Sequence, residues 1–198
     1  MEIIKLLQGS NEWHDYRKWP TRNASDAAAM MGLSPYISRS ELIRQKATGA
    51  DLLVSKKLQQ TFDKGHAAED SARTIIEKMI DDELYPVVVR DTICGVTYSA
   101  SLDGLTMDHK LAFEHKLWNK TLADKVSKNE LPEGYWPQCQ QILMLTQSEK
   151  LIFVVSDGTE GKMVWMSIYP DEHKIDRLIA GWEIFENDVK NYIGEIYE

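Results

Sequence analysis

The stretch Gly95–Leu117 constrains this chain more than any other. Gly95–Leu105 and Leu111–Leu117 each read as a strand, joined by the polar turn Met107-Asp108-His109-Lys110. Side chains alternate faces along a strand. Glu114 and Lys116 therefore share one face, and Phe113, His115 and Leu117 share the other. A turn centred between Asp108 and His109 sets Asp103 directly opposite Glu114, with Cβ atoms about 5 Å apart. A slip of one residue would undo that pairing. Two carboxylates facing each other destabilise a sheet unless a cation lies between them. A hard divalent ion with oxygen ligands, Mg²⁺ or Mn²⁺, is the natural one. Lys116 adds a compact ammonium on the same face, able to position a water or to neutralise charge on a phosphate. Taken singly, a Glu-x-Lys on a strand is most often a solvated face and an Asp-Gly most often a turn.

The rest of the chain surrounds this hairpin with helices. Asn23 or Ser25 caps a run Asp26–Met31 that Gly32 ends. Ser38 with Glu41 forms a capping box for a helix to about Ala47, stopped by Gly49. A third helix covers Gly65–Ile80, with Ala68, Ala72, Ile75, Ile76 and Met79 on its apolar face. Valine-rich Leu84–Arg90 reads as a strand. A helix from about Tyr135 to Thr146 tolerates Pro137 in its first turn. Leu151–Ser156 and Met163–Tyr169 read as strands about an Asp157–Gly161 turn. The chain ends in an amphipathic helix whose Ile175, Leu178, Trp182, Phe185, Val189 and Ile193 share a face. The expected class is α/β: a mixed central sheet flanked on both faces by helices.

Composition narrows the function classes. With 43% hydrophobic and 27% charged residues, wholesale disorder is excluded. No repeat or Pro/Gly-rich linker divides the 198 residues, so one domain is expected. Two cysteines, Cys94 and Cys139, are too few for a disulfide framework, and the five histidines lack zinc spacing. No apolar run nears the ~20 residues of a membrane span and the start lacks a secretory signal, so a cytoplasmic protein with no membrane partner is expected. The net charge of −8 is uneven. Residues 1–50 hold 7 bases against 5 acids, and residues 151–198 hold 4 against 10. Any DNA would be gripped by the front end, with the acidic C-terminal helix facing away.

Two helices offer further candidates. Glu69 sits at the edge of the third helix's apolar stripe, where a carboxylate needs a partner. The plain alternative is a first-turn glutamate favoured by the helix dipole. Gln138 and Gln141 lie one turn apart on the later helix, placed to orient a water or phosphate, or simply to form a polar surface. Arg17 offers a bidentate fork for a phosphate, and Ser25 opens a helix whose free N–H groups favour an anion. A surface arginine and an ordinary N-cap are the plain alternatives. Trp13, Trp19 or Tyr36 could stack on an unwound base.

The segments WHDYR, NASDAAAMMG, DKGHAAEDSAR, SASLDGL, FEHK and YWPQCQQILM occur in this order over roughly residues 10–190. Together they resemble the phage lambda exonuclease family, also called YqaJ-type viral recombinases, a branch of the PD-(D/E)xK nucleases. The resemblance implies a restriction-endonuclease-like core at about residues 65–170. A helical DNA-end-binding part at 1–50 precedes it and a C-terminal helix at 171–194 follows. It implies a Mg²⁺-dependent 5′→3′ exonuclease acting on linear duplex ends. The product is a 3′ overhang for a single-strand annealing protein, and the assembly is a homotrimeric ring around the DNA. Carried across by motif, Asp103 and Glu114 become metal ligands, with the backbone carbonyl of His115 a third. Lys116 becomes the catalytic lysine, Glu69 the helix glutamate of the second metal environment, and Gln138 the glutamine after the aromatic residue. Arg17 and Ser25 take the 5′-phosphate. The sequence departs from the pattern at Leu102, where the family usually has proline near the motif aspartate. Two other functions compete: an endonuclease or nickase on the same fold, and a DNA-binding module without catalysis.

Overall fold

The computed structural model describes residues 1–18, 20–49 and 56–197; Trp19 lies outside them. A sheet runs through the molecule in the order β1 (Glu2–Ile4), β3 (Tyr85–Ile93), β4 (Val96–Leu105), β5 (Leu111–Leu117), β6 (Lys150–Ser156), β7 (Met163–Ile168). A short strand β2 (Arg22–Asn23) pairs with β4. The β5–β6 and β2–β4 pairings are parallel and the others antiparallel, so the sheet is mixed as expected.

The helices are α1 (Asn11–Tyr16), α2 (Ala27–Met30), α3 (Arg39–Thr48), α4 (Lys56–Ile80), α5 (Lys120–Val126), α6 (Trp136–Thr146) and α7 (Glu172–Tyr197). One sheet face packs on α4 through Ala72, Ile76, Leu84, Leu111, Phe113, Ile152 and Val154. The other carries the larger core, where Leu102, Ala112, Phe153 and Val155 meet α6 and α7. On α7, Leu178, Trp182, Phe185 and Val189 are fully buried, as the period predicts. Each such side chain contributes about 1.5–3 kcal/mol by burial, so α7 is held by its stripe rather than by propensity.

Several local expectations need correction. Met79 is 53% exposed and lines an open cleft with Ile75, Met163 and Trp165. Instead of one capped helix over Asp26–Met31, a single 3₁₀ turn Ala24–Asp26 leads into the four-residue α2. Asn23 makes no side-chain cap there, since its Oδ1 accepts from Ser99 Oγ at 3.0 Å while its Nδ2 donates to Asp26 and to the backbone of Arg17 and Thr21. Two acids of α7, Glu186 and Asp188, pair with Arg22 and Arg39. The short elements β1, β2, α1 and α5 carry too few residues to show a period. The capping box holds in part. Ser38 accepts from the Glu41 amide and Gly49 closes α3 with φ 66°, but the Glu41 carboxylate pairs with Arg44.

Candidate active site

The hairpin register is the expected one: Gly104 pairs with Phe113 and Leu105 with Ala112. That is the register in which Asp103 would face Glu114. The ladder stops there, however, and Asp103 crosses the gap with its side chain, its Oδ2 accepting from the His115 amide at 2.7 Å. The cause lies on the other side of β4. Between the pairs Tyr85–Leu105 and Val87–Leu102, Pro86 alone opposes Asp103 and Gly104, a two-against-one bulge. The bulge flips the alternation of β4: Tyr98, Ala100 and Leu102 face the α6 side, and then Leu105 does. Gly104 is needed beside it, because a Cβ there would lie 2.9 Å from the Leu84 Cβ.

Glu114 is 2% exposed, which removes the solvated-face alternative for this Glu-x-Lys. Its Oε1 accepts from Lys116 Nζ at 2.6 Å and from Gln138 Nε2 at 2.7 Å. Lys116 Nζ also donates to Gln138 Oε1 at 3.2 Å. The helix α6 thus delivers Gln138 into the acid–lysine pair. The other Glu114 oxygen, Oε2, is buried without a hydrogen-bond partner. A lone buried carboxylate oxygen costs several kcal/mol if nothing answers it.

The electrostatics point the same way. Burial, then the charges of Glu114 and Glu69, push the Asp103 carboxyl well above the ordinary range, against the pull of Lys116 and the His115 amide. Burial alone would lower Lys116, but Glu114 and Asp103 outweigh it and hold its ammonium protonated above the usual lysine value. Three acids therefore crowd one ammonium. Hard oxygen donors with one unanswered lone pair suit Mg²⁺ or Mn²⁺. No group of three or more His, Cys, Asp or Glu forms a ready-made cage among the described residues. Glu69 is near enough for its charge to act on Asp103, and it is held by Arg73 at 2.8 Å, with His66 at 3.6 Å.

The His115 ring is no candidate ligand. Its Nε2 meets Ser156 Oγ at 3.0 Å, on the opposite face of β5 from Glu114, and burial, which pushes it down to about 4, keeps it neutral there. Its backbone is different. The N–H and C=O of one strand residue point to the same side, and this N–H already serves Asp103, so the carbonyl is aimed at the same gap. Gly158 (φ 91°), in the β6–β7 turn, lies against α4: a Cβ there would come within 3.1 Å of the Ala68 Cα, one residue before Glu69.

Arg17 and Ser25 meet at a second corner. Arg17 Nη2 donates to Ser25 Oγ, and its guanidinium lies 4.2 Å over the Trp13 ring. Asp26 is 3.7 Å away, and the Arg17 carbonyl is fixed by Asn23 and Lys46. Ser25 sits inside the 3₁₀ turn rather than capping a helix, so the helix-dipole argument for an anion fails there. What remains is a serine hydroxyl beside an arginine fork. Gln141 is buried, not a phosphate contact: it donates to the Arg22 and Ser99 carbonyls and accepts from Trp182. Gln138 and Gln141, one turn apart, thereby tie the Glu114–Lys116 pair and the β2–β4 junction at Arg22 and Ser99 to one helix. Tyr36 is 84% exposed, while Trp13 donates to Ser101 Oγ at 2.8 Å and is tied to β4. Sequence reasoning missed Arg73, whose Nε donates to the Asp103 carbonyl at 2.7 Å.

A mixed sheet whose central hairpin gathers two acids and a lysine beneath one helix defines the class: this is the alkaline-exonuclease fold, of the PD-(D/E)xK type. An alkaline exonuclease from Laribacter hongkongensis has TM-score 0.74 at 23% identity, covering 95% of this chain and 96% of that one. The same enzyme in complex with dAMP gives 0.73 at 22% identity over 94% and 96%. A phage-related exonuclease from Haemophilus somnus 129PT gives 0.65 at 15% identity over 92% and 99%. No curated protein matches in sequence. The model of the YqaJ-like viral recombinase domain matches residues 12–149, and the chain belongs to that family. Among the described residues no helix is long and apolar enough to cross a membrane.

Proposed function

We propose that this protein is a Mg²⁺-dependent exonuclease that degrades one strand of linear double-stranded DNA from its 5′ end and leaves a 3′ single-stranded overhang. The observation that carries this reading is the buried, unanswered Glu114 Oε2 beside the crowded Asp103 and the protonated Lys116. Family membership and a fold shared with exonucleases support it, as does the mononucleotide bound by one neighbour.

Asp103 and Glu114 are the residues that would hold magnesium, or manganese in its place, with the His115 carbonyl beside them and Glu69 at the second position. When bound, the ion supplies Lewis acidity to a phosphate oxygen and makes a water a better nucleophile. Lys116 fixes the attacking water and neutralises charge growing on the phosphorus oxygens. Gln138 keeps Glu114 and Lys116 at a set distance. Arg17, with Ser25, takes the terminal 5′-phosphate through a charge-assisted fork, so each cut registers one nucleotide along. A homotrimeric ring would keep an acidic chain on DNA by topology in place of bulk charge. The overhang would pass to a single-strand annealing protein.

The test is digestion of linear and closed circular duplex, with 5′-phosphate or 5′-hydroxyl ends, with and without Mg²⁺. Loss of the linear substrate only, with Mg²⁺ only, and faster from phosphorylated ends, is expected. Cutting of the closed circle would establish an endonuclease instead. Binding without hydrolysis under every condition would leave a DNA-binding module.

A further inference from the structure

Pro86 stands opposite the bulge at Asp103–Gly104 and has no N–H to give the β3–β4 ladder. At that point the Asp103 carbonyl takes its hydrogen bond from another element, Arg73 Nε on α4, at 2.7 Å. The same guanidinium reaches Glu69 Oε1 at 2.8 Å and Asp70 Oδ1 at 3.0 Å through Nη2. One planar fork therefore joins the main chain of one candidate ligand to the carboxylate of another. The Arg73 side chain is only 14% exposed and Glu69 17%, so the contacts to Asp103 and Glu69 are shielded from competing water, while Asp70 stands at the surface. A lysine could not do this, because a point charge lacks donors fixed in two directions.

We infer that Arg73 is a positioning residue of this site: it replaces the donor that Pro86 lacks, holds the bulge that aims Asp103 at the β4–β5 gap, and keeps Glu69 beside Asp103. This rests on the proposed metal-dependent nuclease. Arg73 touches neither substrate nor ion. It sets where two of the acids stand before an ion arrives. A residue that orients metal ligands typically changes metal affinity or activity by about 10–100-fold when removed.

The experiment is titration of Mn²⁺ into the metal-free, DNA-free protein, followed by paramagnetic resonance, alongside hydrolysis at saturating Mn²⁺, metal-free binding to duplex ends, and the thermal midpoint. Arg73→Gln is expected to weaken Mn²⁺ binding about 10–100-fold and to slow hydrolysis, with end binding unchanged. If Arg73→Gln does not fold, Arg73→Lys carries the test. It keeps the charge near Glu69 but loses the fork, and should still bind Mn²⁺ more weakly than the parent. Parental Mn²⁺ affinity in the folded variant, with only a lower thermal midpoint, would overturn the inference and leave Arg73 a helix-to-strand staple. Asp103→Asn separates the two failures: if it too binds Mn²⁺ normally, the metal-site reading itself falls.

Discussion

Two clusters of buried charge sit on the same strand, β4, and they are finished differently. Around Arg22, everything closes. Its Nε meets Glu186 at 2.6 Å, its Nη1 donates to the Tyr98 hydroxyl, and its carbonyl takes Gln141. Gln141 in turn accepts from Trp182 at 2.8 Å. Around Asp103, a few residues along, acids outnumber the neighbouring ammonium and Glu114 Oε2 has no partner. The first cluster locks β2, β4, α6 and α7 together. The second leaves repulsion in the fold that only an added cation would relieve. Closed charge reports on architecture, and unbalanced charge reports on chemistry.

The sharpest way to break this contrast is to neutralise one member of each cluster. Asp103→Asn should lower hydrolysis by about 10²–10³-fold or more, the scale of losing a key electrostatic contact in a reacting site. Because it removes like-charge repulsion, its metal-free thermal midpoint should equal or exceed the parent's. A clear drop would show that Asp103 is structural.

Glu186→Ala should do the opposite. It strands the buried Arg22 and should cost about 3 kcal/mol in denaturant unfolding, while the folded fraction keeps its specific activity. A neutral result would show that Arg22 is satisfied by Tyr98 alone. Magnesium sharpens the comparison next. At 100 times its dissociation constant it should stabilise the parent by about 2.7 kcal/mol and Asp103→Asn by far less. Equal stabilisation of both would place the ion elsewhere. The smallest effect expected is at the Arg17 corner. Arg17→Ala should slow digestion of 5′-phosphorylated ends about tenfold, the worth of one charge-assisted hydrogen bond, and spare 5′-hydroxyl ends. Equal loss on both ends would remove the phosphate role.

The hairpin was legible because its turn is short and polar and the residues next to it pair without interruption, so register followed from counting. Thr106 and Asp108 fix that turn by local hydrogen bonds, and His109 takes φ 62° within it. The long helices were legible from their apolar stripes. The bulge was not, although its signal, a proline inside a valine-rich strand, is visible at Pro86. Pairing partners across β3 and β4 are set by tertiary contacts that no local window contains. Arg73 left a similar trace, four residues after Glu69 on a helix, but that spacing is shared by ordinary surface ion pairs. Ser25 misled because a cap residue and a 3₁₀ turn look alike in sequence. Gln141 misled because only the packed structure shows a glutamine bonding two strand carbonyls.

The central claim is that the hairpin acids capture a divalent ion and that Lys116 acts on the phosphate beside it. The most direct test measures Mn²⁺ binding and hydrolysis of 5′-phosphorylated linear duplex side by side in Asp103→Asn, Glu114→Gln and Lys116→Ala. The two acid variants should lose both properties, and Lys116→Ala should retain the ion yet fail to hydrolyse. Parental hydrolysis in any of the three, or undiminished Mn²⁺ binding in both acid variants, would contradict it.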